Sequence, residues 1–283
     1  MSTINRQIKK YLIYCEYTRK MSPFTLIAKR SVYNRFIAIT KCRNLKHLTN
    51  SCFDRWSKYE LEHGVSASTL NTYNANLLAL INYYRELGLR IPFRASLVGK
   101  LKETPANRQF YTVEQLNEVM QAADDTAALM IRIAFETGMR IAELTSLRLC
   151  NFSNNQVRFI SKGNKLRVAY ISNITINLLS KYIKSHHIKE WLWLDPSTKE
   201  HLGTHAVRKI LKAPFLKSGY SDFYPHSLRH SFATNLQLNG ATLDEIRFMI
   251  GHSSVATTER YIHGLEGQLE SLFKKYAEFN QKL

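Results

Sequence analysis

The stretch that decides the fold runs from Tyr224 to Gly264. It opens YPHSLRHSFATNL (224–236) and closes GHSSVATTERYIHG (251–264). His226 and Arg229 stand three apart at the start of a predicted helix, so they share one face. Thr242 with Glu245 forms a capping-box pattern for the next helix, which stops at Gly251. His252 follows at once, and Tyr261 comes nine residues later on a predicted short helix. Upstream, TGMRIAEL (137–144) puts Arg140 at another helix start, and SKGNK (161–165) puts Lys162 in a turn. Two arginines, two histidines, a lysine and a tyrosine are a sufficient kit for attacking a phosphodiester without a metal.

The bulk properties suit such a substrate. The 283 residues are long enough for two domains with real cores, and 45% hydrophobic with 22% charged residues is ordinary for a globular chain. The net charge of +18 is not ordinary and suits a polyanionic partner. It is unevenly spread: residues 1–110 hold 19 Lys+Arg against 6 Asp+Glu, a net of +13, and the rest of the chain carries +5. The N-terminal part therefore reads as the electrostatic clamp and the C-terminal part as the seat of chemistry. No apolar run reaches about 18 residues, so no membrane partner is expected. The N-terminus lacks the apolar core of a secretory signal. Cys15, Cys42, Cys52 and Cys150 are scattered without a C-x-x-C pair and read as reduced cysteines of a cytoplasmic protein.

Helical periodicity dominates the N-terminal region. Ile8, Tyr11, Leu12 and Cys15 recur at helical spacing, SPFTL opens a second helix with Pro23 in its first turn, and Leu70 to Tyr84 forms a third stripe stopped by Gly88. Arg90 to Arg108 holds two prolines and no clear period, and it reads as the connection, with residues 101–110 as the linker proper. A second domain starts near Tyr111, where Thr112 with Gln115 or Glu114 gives an N-cap signal. Helices follow to about Leu147. Val157 and Phe159, then Val168 and Tyr170, alternate around Gly163-Asn164 as a β-hairpin.

At the motifs quoted above, the chain resembles the tyrosine site-specific recombinases, the family of phage integrases and Xer-type resolvases. The resemblance implies a mainly α fold with a small β-sheet: a helical core-binding domain over 1–100, a linker over 101–110 and an α+β catalytic domain over 111–283. The two domains are expected to form a C-shaped clamp around DNA, without a further arm-binding domain. By family pattern the active-site positions are Arg140, Lys162, His226, Arg229, His252 and Tyr261, none of them substituted. The two arginines would grip the scissile phosphate, Tyr261 would attack it with His226 near, Lys162 would protonate the leaving 5′ oxygen, and His252 would bond a phosphate oxygen. Glu143 would orient Arg140. The product would be a 3′-phosphotyrosyl link resolved through a Holliday junction, with no cofactor and no ATP.

The partners implied are double-stranded DNA and further copies of the chain, as a tetramer on two sites in a bacterial or phage-type nucleoid. A partner recombinase or accessory protein is left open. So are two other functions, a type IB-like topoisomerase and a catalytically silent DNA-binding protein. Taken singly, each residue has a plainer reading: Tyr261 is one of 15 tyrosines, and Lys162 is a lysine in a polar turn. His226 and His230 with His252 or His263 would imitate a metal site, but Ser227 stands where a zinc hydrolase places Glu, and no metal is expected. The amphipathic stretch Leu265, Leu269, Leu272, Phe273 and Tyr276 would pack on its own domain or, as is common in the family, on a neighbouring protomer.

Overall fold

The computed structural model describes residues 3–103, 109–161, 165–251 and 262–276, with the backbone alone for 262–267. The chain divides into two units, Met1–Ala106 and Asn107–Leu283. The first unit is four helices, α1 (Thr3–Tyr17), α2 (Pro23–Thr40), α3 (Asn50–Glu62) and α4 (Ala67–Glu86). Ser22 and Ser66 cap α2 and α4 in the same way, each accepting the backbone N–H three residues on at 3.3 Å. Tyr33, Phe36, Phe53, Trp56, Leu77 and Leu80 fill the core between them.

Two features depart from the sequence expectation. The helix α3 carries no long apolar stripe; it is held by Phe53, Trp56 and a buried Glu60, whose carboxylate accepts Arg35 Nε and Nη2 at 2.5 and 2.6 Å. The segment after Arg90 is also more than a connection. Ile91 and Phe93 are buried in the core of the first unit, and Asn71 bonds the backbone of Leu101 through both its amide groups at 3.0 and 2.9 Å. Pro92 interrupts the helical period there without interrupting the burial.

The second unit is built around α6 (Asp125–Thr137). Leu129, Met130, Ile131, Ile133 and Phe135 are all buried, as are Arg132 and Glu136, so this helix is enclosed around its circumference. It packs against α5 (Val113–Gln121), α8 (Asn173–His186), α9 (Thr204–Lys217) and α10 (His226–Leu238). Thr112 and Gln115 close a capping box at the start of α5, and Thr242 with Glu245 does so for α11 (Leu243–Ile250). The strands β1 (Phe152–Ser153), β2 (Gln156–Ser161) and β3 (Lys165–Tyr170) form an antiparallel sheet in that order, with Val157 opposite Ala169 and Phe159 opposite Arg167.

Both faces of this sheet are covered. Val157, Phe159 and Ala169 join the main core, while Val168 and Tyr170 point the other way. That second face is buried by α12 (Ile262–Lys275), whose Phe273 ring stacks on Tyr170 at 5.7 Å. Glu245 ties the helix end down, accepting Lys275 Nζ at 2.9 Å and the Tyr276 hydroxyl at 3.1 Å. Over residues 269–276 the C-terminal stripe therefore packs on its own domain. The mainly α architecture with one small sheet agrees with the expectation from sequence. Among the described residues no helix is long and apolar enough to cross a membrane.

Candidate active site

Arg140 is placed by the turn that ends α6. Gly138 adopts φ 57°, and a Cβ there would lie 2.5 Å from Phe232 Cδ1, so the position is closed to any side chain. The turn buries Met139 and leaves Arg140 as the N-cap of α7 (Ile141–Thr145). Glu143, in the first turn, holds it twice. Its Oε2 accepts Arg140 N–H at 2.7 Å, and its Oε1 accepts Arg140 Nη1 at 2.9 Å. Ser161, the last residue of β2, completes the triangle: its Oγ donates to Glu143 Oε1 at 2.7 Å and accepts from Arg140 Nη1 at 3.0 Å. The far end of α7 is fixed by Trp193 Nε1 on Leu144 O at 2.7 Å and His201 Nε2 on Thr145 O at 2.8 Å.

Arg229 comes from α10. Leu228, Phe232 and Leu236 fix that helix in the core, while Ser231 Oγ accepts Tyr111 N–H at 2.7 Å and Asn235 Nδ2 donates to Tyr111 O at 2.8 Å. Arg229 itself is 4% exposed. Its Nη1 donates to Gly138 O at 2.6 Å and its Nη2 to Ile250 O at 3.0 Å. A third guanidinium lies beside it: Arg167 of β3 donates through Nη2 to Thr137 O and Met249 O, both at 2.7 Å, with Nη1 3.7 Å from Glu143 Oε2. His226 opens α10 one turn before Arg229 and is exposed, its ring edge-on to His230 at 5.1 Å.

The charges act on one another. Burial, then Arg167 and Arg140, pull the Arg229 guanidinium down to about 9. Burial pulls Arg167 down to about 10, against the raising effect of Glu143. Burial alone would raise the Glu143 carboxyl, but the hydrogen bonds from Arg140 and Ser161 and the charge of Arg167 hold it below its ordinary value. Three guanidiniums thus face one bonded carboxylate among the described residues. The cluster therefore carries an excess of positive charge.

The Phage integrase family model matches residues 109–267, which is more than half of the chain and spans the motifs at 137–144, 161–165, 224–236 and 251–264. The chain belongs to the phage integrase family. It is a tyrosine recombinase, an enzyme of DNA strand exchange. Tyrosine recombinase XerD of Staphylococcus saprophyticus is 28% identical over 293 residues, covering 95% of this chain and 97% of the relative. XerD of Staphylococcus aureus is 26% identical, with 95% and 97% covered. Among solved structures, a lambda integrase tetramer bound to a Holliday junction superposes with a TM-score of 0.74 at 16% identity, covering 92% of this chain and 80% of that one. XerH bound to palindromic difH, in a post-cleavage complex, gives 0.67 at 20% identity, covering 91% and 81%.

Of the six positions expected to carry chemistry in this tyrosine recombinase, the structure brings Arg140 and Arg229 into one cluster and sets His226 on the helix that carries Arg229. Lys162, His252 and Tyr261 lie outside the described residues. Their described neighbours belong to the cluster: Ser161 precedes Lys162, and Gly251 precedes His252. Arg167 was not anticipated. An arginine in a strand beside Val168 and Tyr170 reads as a solvent-facing residue. The register supplies the missing signal, since Arg167 stands opposite inward-facing Phe159.

Proposed function

We propose that the guanidiniums of Arg140 and Arg229 clamp the scissile phosphate while Tyr261 attacks it. The tyrosyl oxygen bonds to phosphorus as the bond to the 5′ oxygen breaks. The tyrosine proton passes to His226, and Lys162 protonates the leaving oxygen, giving a 3′-phosphotyrosyl link and a free 5′ hydroxyl. One phosphoester replaces another, so the step needs no ATP. Attack by the 5′ hydroxyl of a second duplex reverses the chemistry on a new partner and builds a Holliday junction. His252 donates to a phosphate oxygen. The observation that carries this assignment is the cationic cluster itself: Arg140 and Arg229 come from chain positions 89 residues apart, yet Arg229 Nη1 bonds Gly138 O, two residues before Arg140.

In this proposal residues 1–100 grip the duplex, 101–110 connect, and 111–283 perform the chemistry. Four copies assemble on two sites, in a bacterial or phage-derived nucleoid, with a partner recombinase or accessory protein where the site demands one. A tetramer on a junction is what the lambda integrase complex contains. The test is covalent trapping on nicked fragments of the host replicon, with wild type and Tyr261→Phe, and sequencing of the captured ends. Adducts with wild type alone are expected, at discrete sites. Adduct formation by Tyr261→Phe would overturn the assignment.

A further inference from the structure

Arg167 and Arg229 do parallel work on the same two pieces of backbone. Arg167 bonds Thr137 O and Met249 O, and Arg229 bonds Gly138 O and Ile250 O. Each guanidinium therefore bridges one carbonyl at the C-terminal end of α6 and one at that of α11, and the two arginines take neighbouring carbonyls at both ends. Those carbonyls have no partner inside their own helices and carry the negative end of the helix dipole, so a buried cation is well matched to them. The two helix ends matter for catalysis because the chain leaves one of them through Gly138 to Arg140 and the other through Gly251 to His252.

We propose that Arg167 is a positioning residue for strand cleavage, acting through Arg140 and the turn before His252 by locking the end of α6 to the end of α11. Three contacts besides the carbonyls make it specific for arginine. Gly251, at φ 76°, packs on its stem so closely that a Cβ would lie 2.9 Å from Arg167 Cδ. The guanidinium carbon lies 5.2 Å from the centre of the Phe159 ring across the strand pair. Glu143, which holds Arg140, is 3.7 Å from Nη1. Arg167 also stands on β3, paired with β2, whose last residue Ser161 is bonded to Glu143 and Arg140. A lysine has one nitrogen on a flexible stem and cannot bridge both carbonyls while facing the carboxylate.

The proposal rests on the cleavage chemistry given above, and its test separates the two. Wild type, Arg167→Lys and Tyr261→Phe are compared on a nicked duplex carrying the site captured by wild type. One duplex has the natural scissile phosphate, the other a neutral methylphosphonate there. If wild type forms no adduct the cleavage chemistry itself fails; the positioning role is judged separately by hydrogen exchange of the DNA-free protein. For Arg167→Lys, adduct formation on the natural phosphate should slow by roughly 10²-fold, the scale set by small misplacements of catalytic groups. DNA affinity should stay within about twofold, since Arg167 is buried and lysine keeps its positive charge. On the methylphosphonate the defect should shrink to less than roughly tenfold, because a neutral centre leans less on aligned arginines. Exchange should quicken at 138–144 and 247–251 and be unchanged elsewhere in the second unit. Equal losses on both duplexes, or unchanged exchange at the two helix ends, would overturn the positioning role.

Discussion

Glu143→Gln is the sharpest probe of how the cluster is held. The carboxylate is 5% exposed and accepts three bonds of 2.7–2.9 Å, two at Oε1 and one at Oε2, with a third guanidinium 3.7 Å away. An amide keeps one acceptor. Its oxygen satisfies the two donors at Oε1 best, which turns its NH2 toward the Arg140 N–H, donor against donor. That leaves a buried backbone N–H unsatisfied, a loss of about 1–3 kcal/mol. It also removes the carboxylate from among three guanidiniums. Breaking a buried ion pair from one side costs about 3–5 kcal/mol, a figure that already contains the groups left unpaired, and the part exposure of Arg140 argues for its lower end, about 3 kcal/mol in all.

For a unit of this size that loss lowers the thermal midpoint by about 6–12 °C. Calorimetry or thermal circular dichroism reads it directly. The same substitution frees Arg140, so covalent adduct formation on the captured nicked site should fall by roughly 10²-fold. Binding to DNA should hold or tighten, because a negative charge has been removed. A midpoint within about 1 °C of wild type with cleavage within about twofold would refute the role assigned to Glu143. Loss of binding in parallel with cleavage would show instead that the domain had come apart.

Gly138→Ala should destabilise the second unit by about 2–4 kcal/mol in denaturant titration, from left-handed strain plus the clash with Phe232. DNA affinity should drop roughly 10³-fold between 50 and 200 mM salt if the basic N-terminal unit grips phosphates, and a flat response would exclude that clamp. Glu245 is drawn down to about 2, chiefly by the hydrogen bond from Lys275. A depressed carboxyl supplies stability that is present above its unfolded value of about 4.3 and is lost as pH falls through the folded one. Exchange protection of 268–276 should therefore be weaker in Glu245→Gln than in wild type at pH 7, and the two should converge as pH falls below about 4.

Much of this fold is written locally. The capping boxes at Thr112 and Thr242, the stop at Gly251 and the hairpin flanks depend on residues within a few positions of one another, so spacing alone reveals them. The helix α3 and the burial of Ile91 and Phe93 do not, because each exists by tertiary contact: Glu60 is buried only because Arg35 reaches it from α2. The same holds at the active site. Arg140, Arg229 and His226 were legible from motif, as was the pairing of Glu143 with Arg140. Arg167 was not, since its burial needs the hairpin register, the end of α11 and the glycine that makes room for its stem. The sheet gave a further difficulty. Val168 and Tyr170 read as the inward face, yet Arg167 and Ala169 on the opposite face are buried too, because α12 covers the one and the main core the other.

The cluster holds Arg167 and Arg229 with carbonyls rather than with carboxylates, and that choice has a consequence for the charge it keeps. A carboxylate partner fixes a guanidinium but cancels its charge, leaving little to attract a phosphate. A backbone carbonyl at a helix end fixes the direction of the N–H bonds with a dipole and leaves the net charge in place. Here Arg167 and Arg229 each bond two such carbonyls, and Glu143 is the one carboxylate bonded to the cluster among the described residues. About two positive charges are left uncompensated in a largely buried setting. At an effective dielectric of about 20 and a separation of about 5 Å, each would attract a phosphate by about 3 kcal/mol. Burial first, and then crowding by Arg167 and Arg140, depress the Arg229 guanidinium, and in the proposed mechanism an incoming phosphate would offset this by adding negative charge. Because the carbonyls are fixed by the fold, that gain would need no reorganisation as charge builds up on the phosphate during the proposed attack.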